Sequence, residues 1–122
     1  MYGIGVDIVS IDRIEKSLSR ESFLTKVYGE GEIALFATEG KIKTNSLAAN
    51  FAAKEAFSKA LGTGVRGFEL SEVEILRDDM GKPYFHLSGK AKEFAESNNL
   101  VFSVSLSHEK DKAIAFVIAQ QK

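Results

Sequence analysis

Asn50-Phe-Ala-Ala-Lys-Glu-Ala-Phe-Ser-Lys-Ala-Leu-Gly-Thr-Gly64 decides how this chain is read. Helix-forming residues run from about Asn45 to Leu61, and Gly62 stands where a helix can end in the left-handed conformation. Ala49, Ala52, Ala53, Ala56 and Ala60 form a small-residue stripe that lets another element approach closely. Glu55 and Lys59 are four residues apart, so they share a face. A carboxylate beside an ammonium, just before Gly-Thr-Gly, could hold a metal and a phosphate together. The same pattern also describes a surface ion pair followed by a glycine cap. Lys54 lies roughly 100° around the helix from Glu55 and is expected to point elsewhere.

Upstream of the helix, Gly3 to Val9 reads as a strand. Ser10 can cap a helix that begins at Ile11 and carries Arg13 in its first turns. Residues 21 to 37 hold two short helical stretches broken at Tyr28-Gly29-Glu30-Gly31, and Lys41 to Asn45 reads as a polar connection. Downstream, Glu72 to Arg77 is a strand, Asp78-Asp79-Met80-Gly81 a turn, and Pro83 to Leu87 a second strand. Ser88 can cap a short helix over Lys90 to Ser97, which Asn98-Asn99 stops. From Leu100 to Leu106 the residues alternate, with Phe102, Val104 and Leu106 facing one way and Ser103, Ser105 and Ser107 the other. His108 to Lys112 turns the chain into an apolar closing strand over Ala113 to Ala119. Helices early and hairpins late predict a single α+β domain over residues 1–122, with a mainly antiparallel sheet wrapped on one long helix.

The composition narrows the function classes. A chain of 122 residues buries about two thirds of its unfolded surface, enough for one core without staples. The absence of cysteine excludes disulfides, thiolate zinc sites and thiol catalysis, and fits a reducing cytoplasm. The start of the chain has no basic residues followed by an apolar run, so no secretory signal is expected. No stretch approaches the roughly 20 apolar residues of a membrane span. A net charge of −1 argues against a general nucleic-acid binder.

Four places could carry chemistry. Asp7 sits among Ile and Val in a strand, where burial is costly unless the charge is paired or bound to a metal. It could also face solvent on an edge. If strand and helix meet, Asp7 and Glu55 supply two carboxylates, a set that suits Mg²⁺ when substrate phosphates complete the shell. Lys59 could then neutralise a phosphate oxygen. Gly62 and Gly64 would let the backbone approach that phosphate, although a helix C-terminus disfavours anions. His108, at the end of the serine-lined strand, could donate to a phosphate or transfer protons near neutral pH. It could also simply cap its turn. Gly81-Lys82-Pro83 reads first as a tight turn and second as a backbone contact for a ligand. His86, the other histidine, reads as a surface residue.

Three segments together carry a resemblance. Gly3-Ile-Gly-Val-Asp-Ile-Val9, Phe51 to Gly64, and Val104-Ser-Leu-Ser-His-Glu-Lys110 before an alanine-rich strand, with Gly81-Lys82-Pro83 between the last two, resemble the holo-[acyl-carrier-protein] synthases. These are small bacterial members of the 4′-phosphopantetheinyl transferase superfamily. The likeness covers nearly the full length and is weakest over residues 21–45 and 89–99. It implies transfer of 4′-phosphopantetheine from coenzyme A to a serine of acyl carrier protein, in fatty acid biosynthesis, with release of adenosine 3′,5′-bisphosphate. It implies Mg²⁺ on Asp7 and Glu55, Lys59 on the pyrophosphate, and His108 with Lys82 and Pro83 around the adenosine and its 3′-phosphate. It further implies a homotrimer with sites between subunits, and docking of the acidic carrier on the first helix, including Arg13. The catalytic residues are then Glu55 and Lys59, with Glu55 as general base and Glu32 as an alternative carboxylate. The other reading of the same fold is a non-catalytic module that binds a carrier protein or a nucleotide. One departure stands out. The family often carries Arg directly before the Phe-Ala-x-Lys-Glu run, where this chain has Asn50. An amide lacks the guanidinium's charge and fork, so the expectation is either a lower nucleotide affinity or a substitute cation, for which Arg66 and Lys82 are candidates.

Overall fold

The computed structural model describes residues 1–64 and 67–122. In chain order the elements are β1 (Gly3–Ser10), α1 (Ile11–Leu18), α2 (Glu21–Val27), α3 (Glu30–Phe36), β2 (Ala37–Thr38), β3 (Lys41–Ile42) and α4 (Thr44–Leu61). A 3-10 turn (Leu70–Glu72) leads to β4 (Val73–Arg77), β5 (Pro83–Leu87), α5 (Gly89–Ser97), β6 (Leu100–His108) and β7 (Lys112–Gln121). The strands form three antiparallel sheets, ordered β1-β7-β6, β4-β5 and β2-β3. This is the expected α+β architecture.

The axis of the fold is α4. Ala52, Ala53, Ala56 and Ala60 bury against Ala115, Val117 and Ala119 of β7 and Ile75 of β4. Small residues on both partners draw the helix down onto the sheet. The approach is closest over β1. A Cβ on Gly5 would lie 2.0 Å from the Ala56 carbonyl oxygen, and one on Gly3 would lie 2.0 Å from that of Ala60. Any side chain at either position would lift β1 off the helix, and Asp7 with it. At the other flank of α4, Phe57 stacks with Phe85 and Phe102, at centroid distances of 5.3 and 4.5 Å, and ties the β4-β5 hairpin to β6.

The outer face of the large sheet has a different character. Ile4, Val6 and Ile8 of β1 are exposed, as are Ile114 and Phe116 of β7. The register sets Val6 opposite Phe116 and Ile8 opposite Ile114, so these side chains form one apolar surface. The sheet is thus covered by a helix on one side and bare on the other.

A buried polar network fixes α3 and β4 against α4. Glu32, Asn50 and Lys54 are all fully buried. The Lys54 ammonium donates to Glu32 Oε1 at 2.7 Å, to the Leu70 carbonyl at 3.0 Å and to the Val73 carbonyl at 2.6 Å. All three of its protons are therefore used. Glu32 also accepts from the Gly29 and Ile75 amides and from Asn50 Nδ2. Lys54 points away from Glu55, as its helical position predicts.

Two local readings change. Lys41 to Asn45 is not a plain connection: Lys41–Ile42 pairs with Ala37–Thr38, and α4 already begins at Thr44. Two-residue strands are too short to show alternation. β6 runs on to His108, two residues past the expected end. Its partner β7 supplies the missing backbone bonds through the His108–Ala113 pairing.

Candidate active site

The chemistry-bearing residues gather in two groups, one near each end of α4. The first lies where β1 crosses the C-terminal half of the helix. Asp7 shares the strand row of Gly5 and Val9, the row that faces α4. It is partly buried there, although β1 is an edge strand. Lys59 Nζ donates to Asp7 Oδ1 at 3.0 Å and to the Val6 carbonyl at 3.1 Å. The lysine's direct ion pair is therefore with Asp7, not with Glu55 on its own helix.

Glu55 completes this group. Burial pushes its carboxyl above the usual range, the neighbouring Asp7 charge pushes it further, and Lys59 pulls it back. Two carboxylates thus stand close enough to repel, with one lysine between two negative charges. A divalent cation would relieve that repulsion, so the donor set fits Mg²⁺. No group of three or more His, Asp or Glu ligands occurs among the described residues. Mg²⁺ commonly takes one or two carboxylates and completes its shell with water and phosphate oxygens. Gly62 ends α4 at φ 79°, and its N–H bonds the Lys59 carbonyl. Gly64 follows at φ 69°, and both glycines have open space where a Cβ would sit.

The second group lines a cleft of about 470 Å³ near the start of α4. Ser46, Arg77, Lys82, Pro83 and His108 line it. No carboxylate lines it among the described residues. Cationic and hydroxyl groups without a negative partner make a receptor for an anion. The Gly81-Lys82-Pro83 segment is held rigidly. Asp78 Oδ1 accepts from the Met80 and Lys82 amides at 2.9 Å each, and Gly81 adopts φ 84°. His108 follows Phe102, Val104 and Leu106 along β6, so it belongs to the inward row rather than to the serine row.

The structure therefore unites Asp7, Glu55 and Lys59, and separately unites Lys82, Pro83 and His108. It does not bring the two groups together within one chain. Along the helix axis, the cleft residues Ser46 and Ala49 lie roughly 9 to 20 Å from Glu55 and Lys59. Glu32 is no candidate base, since it is wholly buried and committed to Lys54, Asn50 and two backbone amides. His86 is exposed, as expected. Arg66, one of the two candidate cations to replace the missing Arg, lies outside the described residues. Arg77 and Ser46 are the site residues that sequence reasoning missed. A signal for Arg77 did exist: the β4-β5 hairpin register sets Arg77 opposite Pro83, beside the Gly-Lys-Pro turn.

The family model of the 4′-phosphopantetheinyl transferase superfamily matches residues 3–117. The holo-[acyl-carrier-protein] synthase of Clostridium beijerinckii is 45% identical over 121 residues, covering 98% of each chain. The crystal structure of holo-[acyl-carrier-protein] synthase from Neisseria meningitidis superposes with a TM-score of 0.90 at 38% identity, covering 99% of each chain. The Bacillus anthracis synthase, solved in complex with CoA (3′,5′-ADP), gives a TM-score of 0.82 at 34% identity, over 99% of this chain and 97% of that one. The chain belongs to the 4′-phosphopantetheinyl transferase superfamily. Its place within it is among the holo-[acyl-carrier-protein] synthases.

Proposed function

We infer that this chain moves the 4′-phosphopantetheine group of coenzyme A onto a serine hydroxyl of an acyl carrier protein, releasing adenosine 3′,5′-bisphosphate. The observation that carries this is the convergence of Asp7, Glu55 and Lys59 in a chain 45% identical to a holo-[acyl-carrier-protein] synthase. The serine oxygen bonds to the phosphorus that bears the pantetheine. The bond from that phosphorus to the departing adenosine bisphosphate breaks, and the serine loses its proton. Such a reaction needs positioning and charge neutralisation more than a nucleophile of the enzyme's own.

The roles follow from what each residue can reach. Lys59 supplies an ammonium to a pyrophosphate oxygen at the mouth of the β1–α4 contact. Glu55 is the carboxylate that takes the serine proton. Asp7 and Glu55 would hold Mg²⁺, which when bound supplies neutralisation of the pyrophosphate charge. Gly62 and Gly64 allow the backbone to come near that diphosphate. Lys82, Pro83 and His108 receive the adenosine end in the cleft. On α1, Arg13 and Lys16 lie about 60° apart at 100° per residue, with Asp12 about 40° beyond Lys16 on the same face. Arg13, away from both acids of the helix, is the cation assigned here to an acidic carrier protein. A cysteine-free sequence and a carrier-protein substrate support a cytoplasmic enzyme serving fatty acid biosynthesis. No helix among the described residues is long and apolar enough to cross a membrane.

A neighbouring copy completes the site in this reading. Two observations support it: the distance between the half-sites along α4, and the bare apolar surface of Ile4, Val6, Ile8, Ile114 and Phe116. Exposed apolar patches of this kind mark interaction surfaces. A homotrimer closes a head-to-tail contact by cyclic symmetry. Sedimentation should give about three times the 13.4 kDa chain mass, and a fully active monomer would remove the shared site. For the reaction, the protein is incubated with coenzyme A, Mg²⁺ and apo acyl carrier protein, and the carrier is weighed by mass spectrometry. A gain of one phosphopantetheine is the expected result. Binding without a gain would make the protein a non-catalytic carrier or nucleotide module, a reading that the intact Asp7, Glu55 and Lys59 disfavour.

A further inference from the structure

Arg77 closes one wall of the cleft, and its surroundings are unusual. Nη2 donates to Asn50 Oδ1 at 2.9 Å, and Nη1 donates to the Ile75 and Leu76 carbonyls at 3.2 Å each. The guanidinium carbon also lies 5.0 Å from the Phe36 ring centroid. These contacts fix the plane of the group. They use three of its five N–H donors and leave two unassigned among the described residues. Among the described residues no carboxylate forms an ion pair with it. Glu32 is the nearest buried negative charge in its network, and Asn50 stands between them, donating to Glu32 Oε2 at 2.9 Å while accepting from Arg77. Asn50 thus acts as a neutral bridge. It aims the guanidinium while leaving its charge available to the cleft, where Lys82, His108 and Ser46 already gather.

We propose that Arg77, held in place by Asn50, is a binding residue for a phosphate monoester dianion in this cleft, the 3′-phosphate of coenzyme A. This rests on the reading that the cleft receives the adenosine end. A rigid fork whose two remaining donors have no partner among the described residues matches the spacing of two phosphate oxygens, which a lysine ammonium does not. The same geometry explains how a chain with an amide at position 50 still presents a guanidinium to its nucleotide. The cation arrives from β4 and the amide serves as its anchor.

The test is calorimetric binding of adenosine 3′,5′-bisphosphate and adenosine 5′-monophosphate to wild type, Arg77→Ala, Arg77→Lys and Lys82→Ala, each checked for folding by its thermal transition. Wild type should prefer the bisphosphate. Arg77→Ala should lose roughly 10- to 100-fold in affinity for the bisphosphate and less than about twofold for the monophosphate. Arg77→Lys, which keeps the charge and a donor for Asn50, should fall between the two and guards against a variant that only misfolds. Equal losses for both nucleotides would make Arg77 a scaffold residue and overturn the proposal. Unchanged bisphosphate binding in both Arg77 variants, with a loss in Lys82→Ala, would overturn it while leaving the cleft as the nucleotide site. No effect in any variant would remove the nucleotide from this cleft and the proposal with it.

Discussion

Lys54→Met should destabilise the protein by about 3–5 kcal/mol, measured by urea unfolding near neutral pH. The size comes from what is left behind rather than from what is removed. Glu32 stays fully buried, and the Leu70 and Val73 carbonyls lose their donor. Burial already holds the Glu32 carboxyl above its usual range, against the pull of Lys54. Without Lys54 the folded state keeps that proton more tightly still, while the unfolded chain releases it in the ordinary glutamate range. Between those two limits the native state binds more protons than the unfolded state, so stability falls as pH rises through the window. The variant should therefore regain part of its deficit toward acid pH. Adding Glu32→Gln should also restore part of it, because the uncompensated charge goes. A flat pH response, or a double variant no better than Lys54→Met, would show that Lys54 acts through packing alone.

Asp7→Asn and Glu55→Gln should each lower the transfer rate by roughly 10²- to 10³-fold, because each removes negative charge from the proposed cation site while nearly keeping its shape. Stability should move differently. Burial and the Asp7 charge both oppose ionisation of Glu55 in the folded protein. Above the ordinary glutamate range, that ionisation works against folding. Without added metal, Glu55→Gln should thus melt no lower than wild type, and somewhat higher. Asp7→Asn breaks an ion pair whose lysine is more than half exposed, so its thermal shift should be small. Mg²⁺ should raise the wild-type melting temperature by mass action and leave both variants unmoved. Full activity in either variant, or an equal Mg²⁺ shift in all three proteins, would take these carboxylates out of the metal site.

Much of the molecule was legible in its residues. The helix from about residue 45 to 61 is written in uninterrupted helix formers and a terminal glycine, and the hairpins in alternation and turn residues. These signals are local, and local backbone preferences decide them. The pairing of Asp7 with Lys59 was less legible. Spacing on α4 suggested a Glu55–Lys59 pair, but β1 lies so close to the helix over Gly3 and Gly5 that Asp7 comes within hydrogen-bond reach of the lysine. The interior charge network was not legible at all. Glu32, Asn50, Lys54 and Arg77 come from α3, α4 and β4, and nothing in their spacing says that they meet.

The sequence by itself therefore determined all the longer elements, the α+β class, and which residue types could hold a cation or a phosphate, but not the two-residue pair β2–β3. Periodicity, caps and turns act over a few residues, so they survive being read one after another. Only the tertiary structure decided which of those residues share a site. It set Asp7 beside Glu55 and Lys59, withdrew Glu32 into an interior ion pair, and turned Arg77 toward the cleft with Lys82 and His108. Those choices depend on how closely α4 can settle on its strands. That distance is set by glycine and alanine side-chain volume across elements far apart in the chain.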